Sequence, residues 1–217
     1  MDLWDEMIGN SQNHLDARII RKSLLCSFGD ATSLEHSLHK DKETYLAVQK
    51  EIQDKLAAVL EDFQNDGGKP IVIIAQSLGC QVISNYIWDA KNYINIFEDT
   101  GSTNLVSKDD GRQNFMKLKS LKCLITTGCN IPIFVSGIKE REFEKPNEEF
   151  EWFNFYGPDD ALGWPSKQLG KSYRFVKDRP INAGRSLTSW NIFSHIKYWS
   201  DEDVIKPLAD LVKKYLG

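Results

Sequence analysis

The sequence predicts an α/β fold, with a mostly parallel sheet between two layers of helices. Residues 71–74 and 121–127 are rich in apolar and β-branched side chains, which is typical of strands buried on both faces. Turn residues bound each run, and segments with helical periodicity lie between them. A length of 217 residues fits one domain. We therefore expect a single domain over residues 1–217, with its core at 69–217 and a helical segment at 1–66.

The segment before the first strand is predicted to be helical. Residues 15–28 carry apolar side chains at roughly helical spacing, and the pattern stops at Gly29. Residues 44–63 form the most regular one-sided helical pattern of the chain, and the run at 65–68, Asn-Asp-Gly-Gly, ends it. No strand is predicted before the run that begins at residue 71.

Ser77 lies where the first predicted strand meets a helical segment. Ala75 and Gly79 stand two places before and two places after it. A sharp strand-to-helix turn strains the backbone of its central serine and leaves little room for bulky side chains at those two positions. The Ser77 hydroxyl would project above the strand end, and the N–H of Leu78 would point at a developing oxyanion. The pattern predicts a nucleophile elbow; the alternative is a serine that only caps the helix.

After the Ser77 segment, the sequence predicts further strands, separated by loops, and a final helix. Residues 98–115 and 137–149 are polar and predicted to be loops. Strands are predicted at 121–127 and at the aromatic run 150–156, which a turn follows at once. The chain ends in a predicted amphipathic helix with Pro207 in its first turn.

Composition narrows the function classes. The chain has 27 basic and 31 acidic residues and a formal net charge of −4, so no electrostatic footprint for nucleic acid is present. The apolar runs are only as long as strands, which predicts no transmembrane helix, and the acidic N-terminus lacks the layout of a signal peptide. We expect a cytoplasmic protein that does not bind nucleic acid and has no integral membrane segment.

The four cysteines do not form a metal-binding pattern. Cys26, Cys80, Cys123 and Cys129 lack C-x-x-C spacing and clustered histidines. Small buried core residues are their expected role. No metal site is predicted.

A nucleophilic serine needs a histidine base and usually an acid that orients it. Three of the four histidines precede Ser77, so only His195 fits the chain order serine, acid, histidine. Asp159 and Asp160 both follow a predicted strand, where an acid would be held rigidly. Adjacent residues point in different directions, so at most one of the two is expected to reach His195.

Residues 77–199 resemble the α/β-hydrolase superfamily, in its lipase and esterase-like branch. The Ser77 segment matches the nucleophile elbow of that superfamily. Residues 160–165, Asp-Ala-Leu-Gly-Trp-Pro, are similar to the D-P-[VI]-x-[YW]-P form that supplies the triad aspartate, with alanine in the proline position. The H-x-x-Y-W form of residues 195–199 is similar to the segment that carries the catalytic histidine.

The resemblance implies a serine esterase. Ser77 would be the nucleophile, His195 its base and then its acid, and Asp160 rather than Asp159 the orienting acid. Leu78 and Gln76 would lie on the oxyanion and substrate side, although many relatives have histidine where Gln76 stands. The substrate would be a carboxylic ester with an acyl or lipid-like group, and no cofactor would be required.

The front half of the family pattern is not found. Residues 1–68 contain neither the early strands nor a His-Gly loop that would supply the second oxyanion donor. One such donor contributes about 3 to 4 kcal/mol to transition-state stabilisation. We expect either a C-terminal part of a longer protein or a fold that has lost these strands. The alternative function is therefore a hydrolase-like binding or regulatory module without turnover, and an uncovered sheet edge would favour homo-oligomers.

Overall fold

The structure, a computed structural model, describes residues 42–65, 67–98, 110–135, 142–158, 160, 162–181 and 197–216. The helix predicted at 15–28 and His195 lie outside the described residues. Over the described part, the α-helices are α1 (Lys42–Asn65), α2 (Leu78–Asn92), α3 (Asp110–Met116), α4 (Ile131–Val135) and α5 (Glu202–Leu216). The strands are β1 (Ile71–Gln76), β2 (Leu121–Thr127), β3 (Glu151–Tyr156) and β4 (Lys177–Pro180).

The four strands form one parallel sheet in the order β1-β2-β3-β4. Each strand therefore pairs with its neighbour in the chain, and all carboxyl ends meet at one edge of the sheet. The prediction of an α/β fold with a parallel sheet is confirmed. The predicted strands at 121–127 and 150–156 and the predicted helix at 44–63 are also confirmed, within a few residues at their ends.

Two hydrophobic clusters hold the sheet and the helices together. Neighbouring residues of β3 belong to different clusters: Trp152 to the first and Phe153 to the second. Successive side chains of a strand point to opposite faces, so the two clusters lie on opposite sides of the sheet. Helices α1 and α2 contribute to the first cluster and α5 to the second.

Three sequence predictions differ from the structure. Residues 110–116 form α3, which overlaps the end of the predicted loop 98–115. Phe115 in this helix is buried, and its ring centroid lies 4.5 Å from that of Phe63. Strand β4 was not predicted, since its sequence Lys-Asp-Arg-Pro has no apolar pattern and its side chains are mostly exposed. Pro207 lies in the second turn of α5 rather than the first, because that helix begins at Glu202.

None of the helices in the described part of the chain combines the length and the apolar character needed to cross a bilayer.

Candidate active site

The turn that joins β1 to α2, here the Ser77 turn (residues 75–79), has strained backbone geometry. Ser77 has φ 51° and ψ −124°, values that a non-glycine residue rarely adopts. Its N–H donates to the carbonyl oxygen of Thr127 at 3.1 Å, and its own carbonyl accepts the N–H of Cys80 at 2.9 Å. The Ser77 side chain makes no capping hydrogen bond to α2, so the residue does not act as an ordinary helix cap.

Asn130 anchors the same turn from the end of β2. With its amide oriented to satisfy both partners, its nitrogen donates to the Ser77 carbonyl at 2.8 Å and its oxygen accepts from the Leu78 N–H at 3.3 Å. Asn130 is buried. The sequence analysis missed this residue, and the only local signal was its position three residues after a predicted strand.

The role predicted for Leu78 is affected by this contact. Its N–H lies at the first residue of α2, as expected for an oxyanion donor. In the structure the N–H points at the Asn130 side-chain oxygen, through a long hydrogen bond. A substrate oxyanion would have to replace that oxygen, so the role of Leu78 stays a prediction.

The small residues on either side of Ser77 face each other. A Cβ atom placed on Gly79 would lie 4.0 Å from the Cβ of Ala75, which is an ordinary van der Waals contact. The turn therefore has room for one methyl group at position 79. The predicted crowding concerns larger side chains at these two positions.

The turn after β3, here the Asp160 turn (residues 157–163), holds a buried carboxylate. Asp160 is only 6% exposed. Its Oδ2 accepts the hydroxyl hydrogen of Tyr198 at 2.7 Å, and its Oδ1 accepts the N–H of Leu162 at 2.9 Å. Such donors offset the cost of burying a charge. Asp159 lies outside the described residues.

Tyr198 links the carboxylate to the end of β3. Its hydroxyl oxygen also accepts the N–H of Gly157 at 2.9 Å, and its ring is fully buried. Burial and the neighbouring Asp160 carboxylate raise the pKa of Tyr198 well above its ordinary value. The hydroxyl therefore stays protonated and remains a hydrogen-bond donor at physiological pH.

Gly163 has no side chain, and this leaves room for the Asp160 carboxylate and the Tyr198 hydroxyl. A Cβ atom at this position would lie 2.5 Å from Asp160 Oδ2, 2.8 Å from the Tyr198 hydroxyl and 2.9 Å from the Gly128 Cα. All three distances are shorter than real Cβ contacts allow. Only glycine fits here without displacing its surroundings.

The 3₁₀ helix Lys197–Ser200 contacts both turns. Tyr198 donates to Asp160, and the indole N–H of Trp199 donates to the side-chain oxygen of Gln76, the residue before Ser77. Two consecutive aromatic residues thus connect Asp160 with the Ser77 turn, which they contact at Gln76. Gln76 contacts this 3₁₀ helix, and its predicted contact with substrate stays a prediction.

The three cysteines in the described part of the chain are buried and not in disulfides. Burial raises the pKa of the Cys80 thiol, and that of Cys123 to about 12. The thiols of Cys80 and Cys123 are therefore poor nucleophiles. Among the described residues, no three His, Cys, Asp or Glu side chains lie close enough together to hold a metal ion.

An open groove of about 580 Å³ lies between the carboxyl end of β4 and the first turns of α5. Phe155, Ile181 and Pro207 give it an apolar part, while Arg179 and Lys206 are among its charged side chains. Phe155 and Ile181 belong to the same hydrophobic cluster as Tyr198. The groove therefore shares part of its apolar lining with the cluster in which Tyr198 is buried.

Comparison of the chain with protein-family models, with curated proteins and with solved structures finds no match. The interpretation of the site therefore depends on its own residues and geometry.

Proposed function

We propose that this protein is a serine hydrolase that cleaves a carboxylic ester through an acyl-enzyme on Ser77, in a three-layer domain of the α/β-hydrolase kind. The observation that carries the proposal is the connection of two unusual turns at one sheet edge. Trp199 donates to Gln76, the residue before the strained Ser77, and Tyr198 donates to the buried Asp160.

The order of the elements supports the proposal. Ser77 follows β1 and Asp160 follows β3, so both lie at the carboxyl edge of the parallel sheet. Ligands of open parallel sheets bind at that edge. His195 follows β4 in the sequence, which gives the chain order serine, acid, histidine of this class of hydrolase.

Chain connectivity supports the assignment of His195 as the base. It precedes Tyr198 by three residues in the sequence. Three residues span at most about 11 Å even when fully extended. Because Tyr198 contacts Asp160, this sequence separation is compatible with the proposed contact between His195 and the acid.

In the proposed reaction, His195 takes the hydroxyl proton of Ser77 as its oxygen attacks the ester carbonyl. The tetrahedral intermediate collapses when its bond to the alcohol oxygen breaks, and His195 returns the proton to that oxygen. Water then repeats the sequence on the acyl-enzyme and releases the carboxylic acid and Ser77. Asp160 orients the imidazole and stabilises its charged form, and the Leu78 N–H binds the oxyanion once Asn130 has moved aside.

The expected substrate is an ester with an apolar acyl group. The groove between β4 and α5 offers Phe155, Ile181 and Pro207 as apolar contacts. Its charged side chains would accommodate a polar end of the same molecule. The proposed reaction uses only side-chain and backbone groups of the chain.

One observation favours a second candidate function, a binding module with the same fold and no turnover. The Leu78 N–H, which an active enzyme would offer to the oxyanion, has Asn130 as its hydrogen-bond partner. A site that keeps this contact would lose about 3 to 4 kcal/mol of transition-state stabilisation.

Labelling with a fluorophosphonate, followed by intact-mass analysis, separates the two functions. We expect one adduct on the wild type, none on Ser77→Ala, and labelling slowed by about 10² to 10⁴-fold in His195→Ala. Ser84→Ala is the matched control, because Ser84 is a buried serine in α2, the helix that follows Ser77. A folded wild-type protein that forms no adduct would contradict the hydrolase and favour the binding module.

A further inference from the structure

We propose that Tyr198 is a positioning residue that fixes the Asp160 carboxylate for the histidine of the active site. The inference depends on the proposed hydrolase function. It adds to that function a residue which does not contact the substrate and acts only through the acid.

The direction of the hydrogen bond between Tyr198 and Asp160 follows from the groups that the Tyr198 hydroxyl contacts. A phenol hydroxyl has one hydrogen to donate and can accept through its oxygen. The N–H of Gly157 is itself a donor, so the hydroxyl oxygen must accept there. Its single hydrogen is therefore directed at Asp160 Oδ2, 2.7 Å away.

Both oxygens of the carboxylate are fixed as a result. Leu162 donates to Oδ1 and Tyr198 to Oδ2, so rotation of the carboxylate would break one of the two hydrogen bonds. A carboxylate can accept about four hydrogen bonds, so these two donors are compatible with a histidine donor as well. The two hydrogen bonds fix the plane of the Asp160 carboxylate, and a histidine N–H must approach the carboxylate in that plane.

The end of β3 holds both Tyr198 and Asp160 in place. Gly157 follows the last residue of that strand, and its N–H holds the Tyr198 hydroxyl. The Asp160 N–H donates to the Gly157 carbonyl at 3.0 Å, so the same residue also holds the backbone of the acid. Gly163 lacks the Cβ atom that would push Asp160 and Tyr198 apart.

Tyr198 also has a packing role, which the test must separate from positioning. Its ring is fully buried in the cluster that contains Phe155, Ile181 and Val204. Tyr198→Phe keeps the ring and removes only the hydroxyl. Tyr86→Phe is the matched control, because Tyr86 is equally buried and donates one hydrogen bond, to the Met116 carbonyl at 2.8 Å.

The experiment measures fluorophosphonate labelling of Ser77 as a function of probe concentration. We expect Tyr198→Phe to lower the maximal labelling rate by about 10- to 100-fold, since a hydrogen bond to a charged group is lost. The half-saturating probe concentration should stay within about 2-fold, because Tyr198 contacts the acid and not the probe. Tyr86→Phe should change neither value by more than about 2-fold.

A double-mutant cycle with Asp160→Asn completes the test. If Tyr198 acts through Asp160, adding Tyr198→Phe to Asp160→Asn should slow labelling by less than about 2-fold. Two effects that multiply would overturn the positioning role, as would an unchanged rate in Tyr198→Phe. A wild type without label would overturn the proposed function and this role together, whereas the other two outcomes overturn only the role of Tyr198.

Discussion

The Ser77 turn and the Asp160 turn lie at the same edge of the sheet but are stabilised differently. The Ser77 turn is held mainly through its backbone, by the Thr127 carbonyl and by the amide of Asn130. The Asp160 turn is held through its carboxylate, which accepts from the side chain of Tyr198. One turn stores backbone strain, and the other buries a charge.

The two turns also differ in how far along the chain the residues that mark them in the sequence lie. The small residues that accompany Ser77 lie within two positions of it. The hydroxyl that holds Asp160 comes from a residue 38 positions later. The strained turn can therefore be recognised locally, although Thr127 and Asn130, which hold it, come from distant parts of the chain. The tyrosine that holds the buried carboxylate has no such local signal beside Asp160.

The largest difference is expected between Gly163→Ala and Gly79→Ala. The new Cβ at position 163 would lie within 3 Å of Asp160, Tyr198 and Gly128, so we expect a loss of about 3 kcal/mol in the free energy of unfolding. The thermal midpoint should fall by roughly 6 to 12 °C.

Gly79→Ala is the matched control for the other turn. Its Cβ would meet only Ala75, at 4.0 Å, and position 79 is helical. Alanine is favoured over glycine in helices, so the stability should stay unchanged or rise by up to about 1 kcal/mol. Equal losses in the two variants would show that the Asp160 turn is no tighter than the Ser77 turn.

A smaller effect is expected for Asn130→Ala, which removes the side-chain anchor of the Ser77 turn. The 2.8 Å contact between the buried Asn130 side chain and the Ser77 carbonyl is lost, and urea unfolding should show a decrease of about 1 to 2 kcal/mol in the free energy of unfolding. Asn92→Ala removes an exposed donor to the Trp88 carbonyl and should cost less than about 0.5 kcal/mol. If the two variants were equally stable, Asn130 would not hold the turn.

The smallest effect is expected for Ser77→Gly compared with Ser77→Ala. Strain at a residue such as Ser77 costs about 1 to 3 kcal/mol, and glycine relieves it, whereas alanine does not. The greater freedom of glycine in the unfolded chain offsets part of this gain. We expect Ser77→Gly to be more stable than Ser77→Ala by about 1 kcal/mol in thermal unfolding; the reverse order would mean that the turn is not strained.

Much of the fold was predictable because its signals are local. The run 71–74 and the segment 121–127 carry the composition of buried parallel strands, and both are strands in the structure. Strand β4 was missed because its polar sequence becomes a strand only by pairing with β3. Helix α3 was missed because the contact that buries Phe115 comes from α1, far away in the sequence.

The sequence by itself determined the parallel α/β sheet and the strained serine turn. Periodicity, β-branched runs and small residues beside Ser77 act within a few positions, so they can be recognised without tertiary contacts. Only the tertiary structure decided how Asp160 is held, because a buried carboxylate is stabilised by whichever donors the fold brings to it. Tyr198 contacts Asp160 and Asn130 contacts the Ser77 turn only because the fold brings distant segments of the chain together. Gly163 is required where Tyr198 and Gly128 approach it.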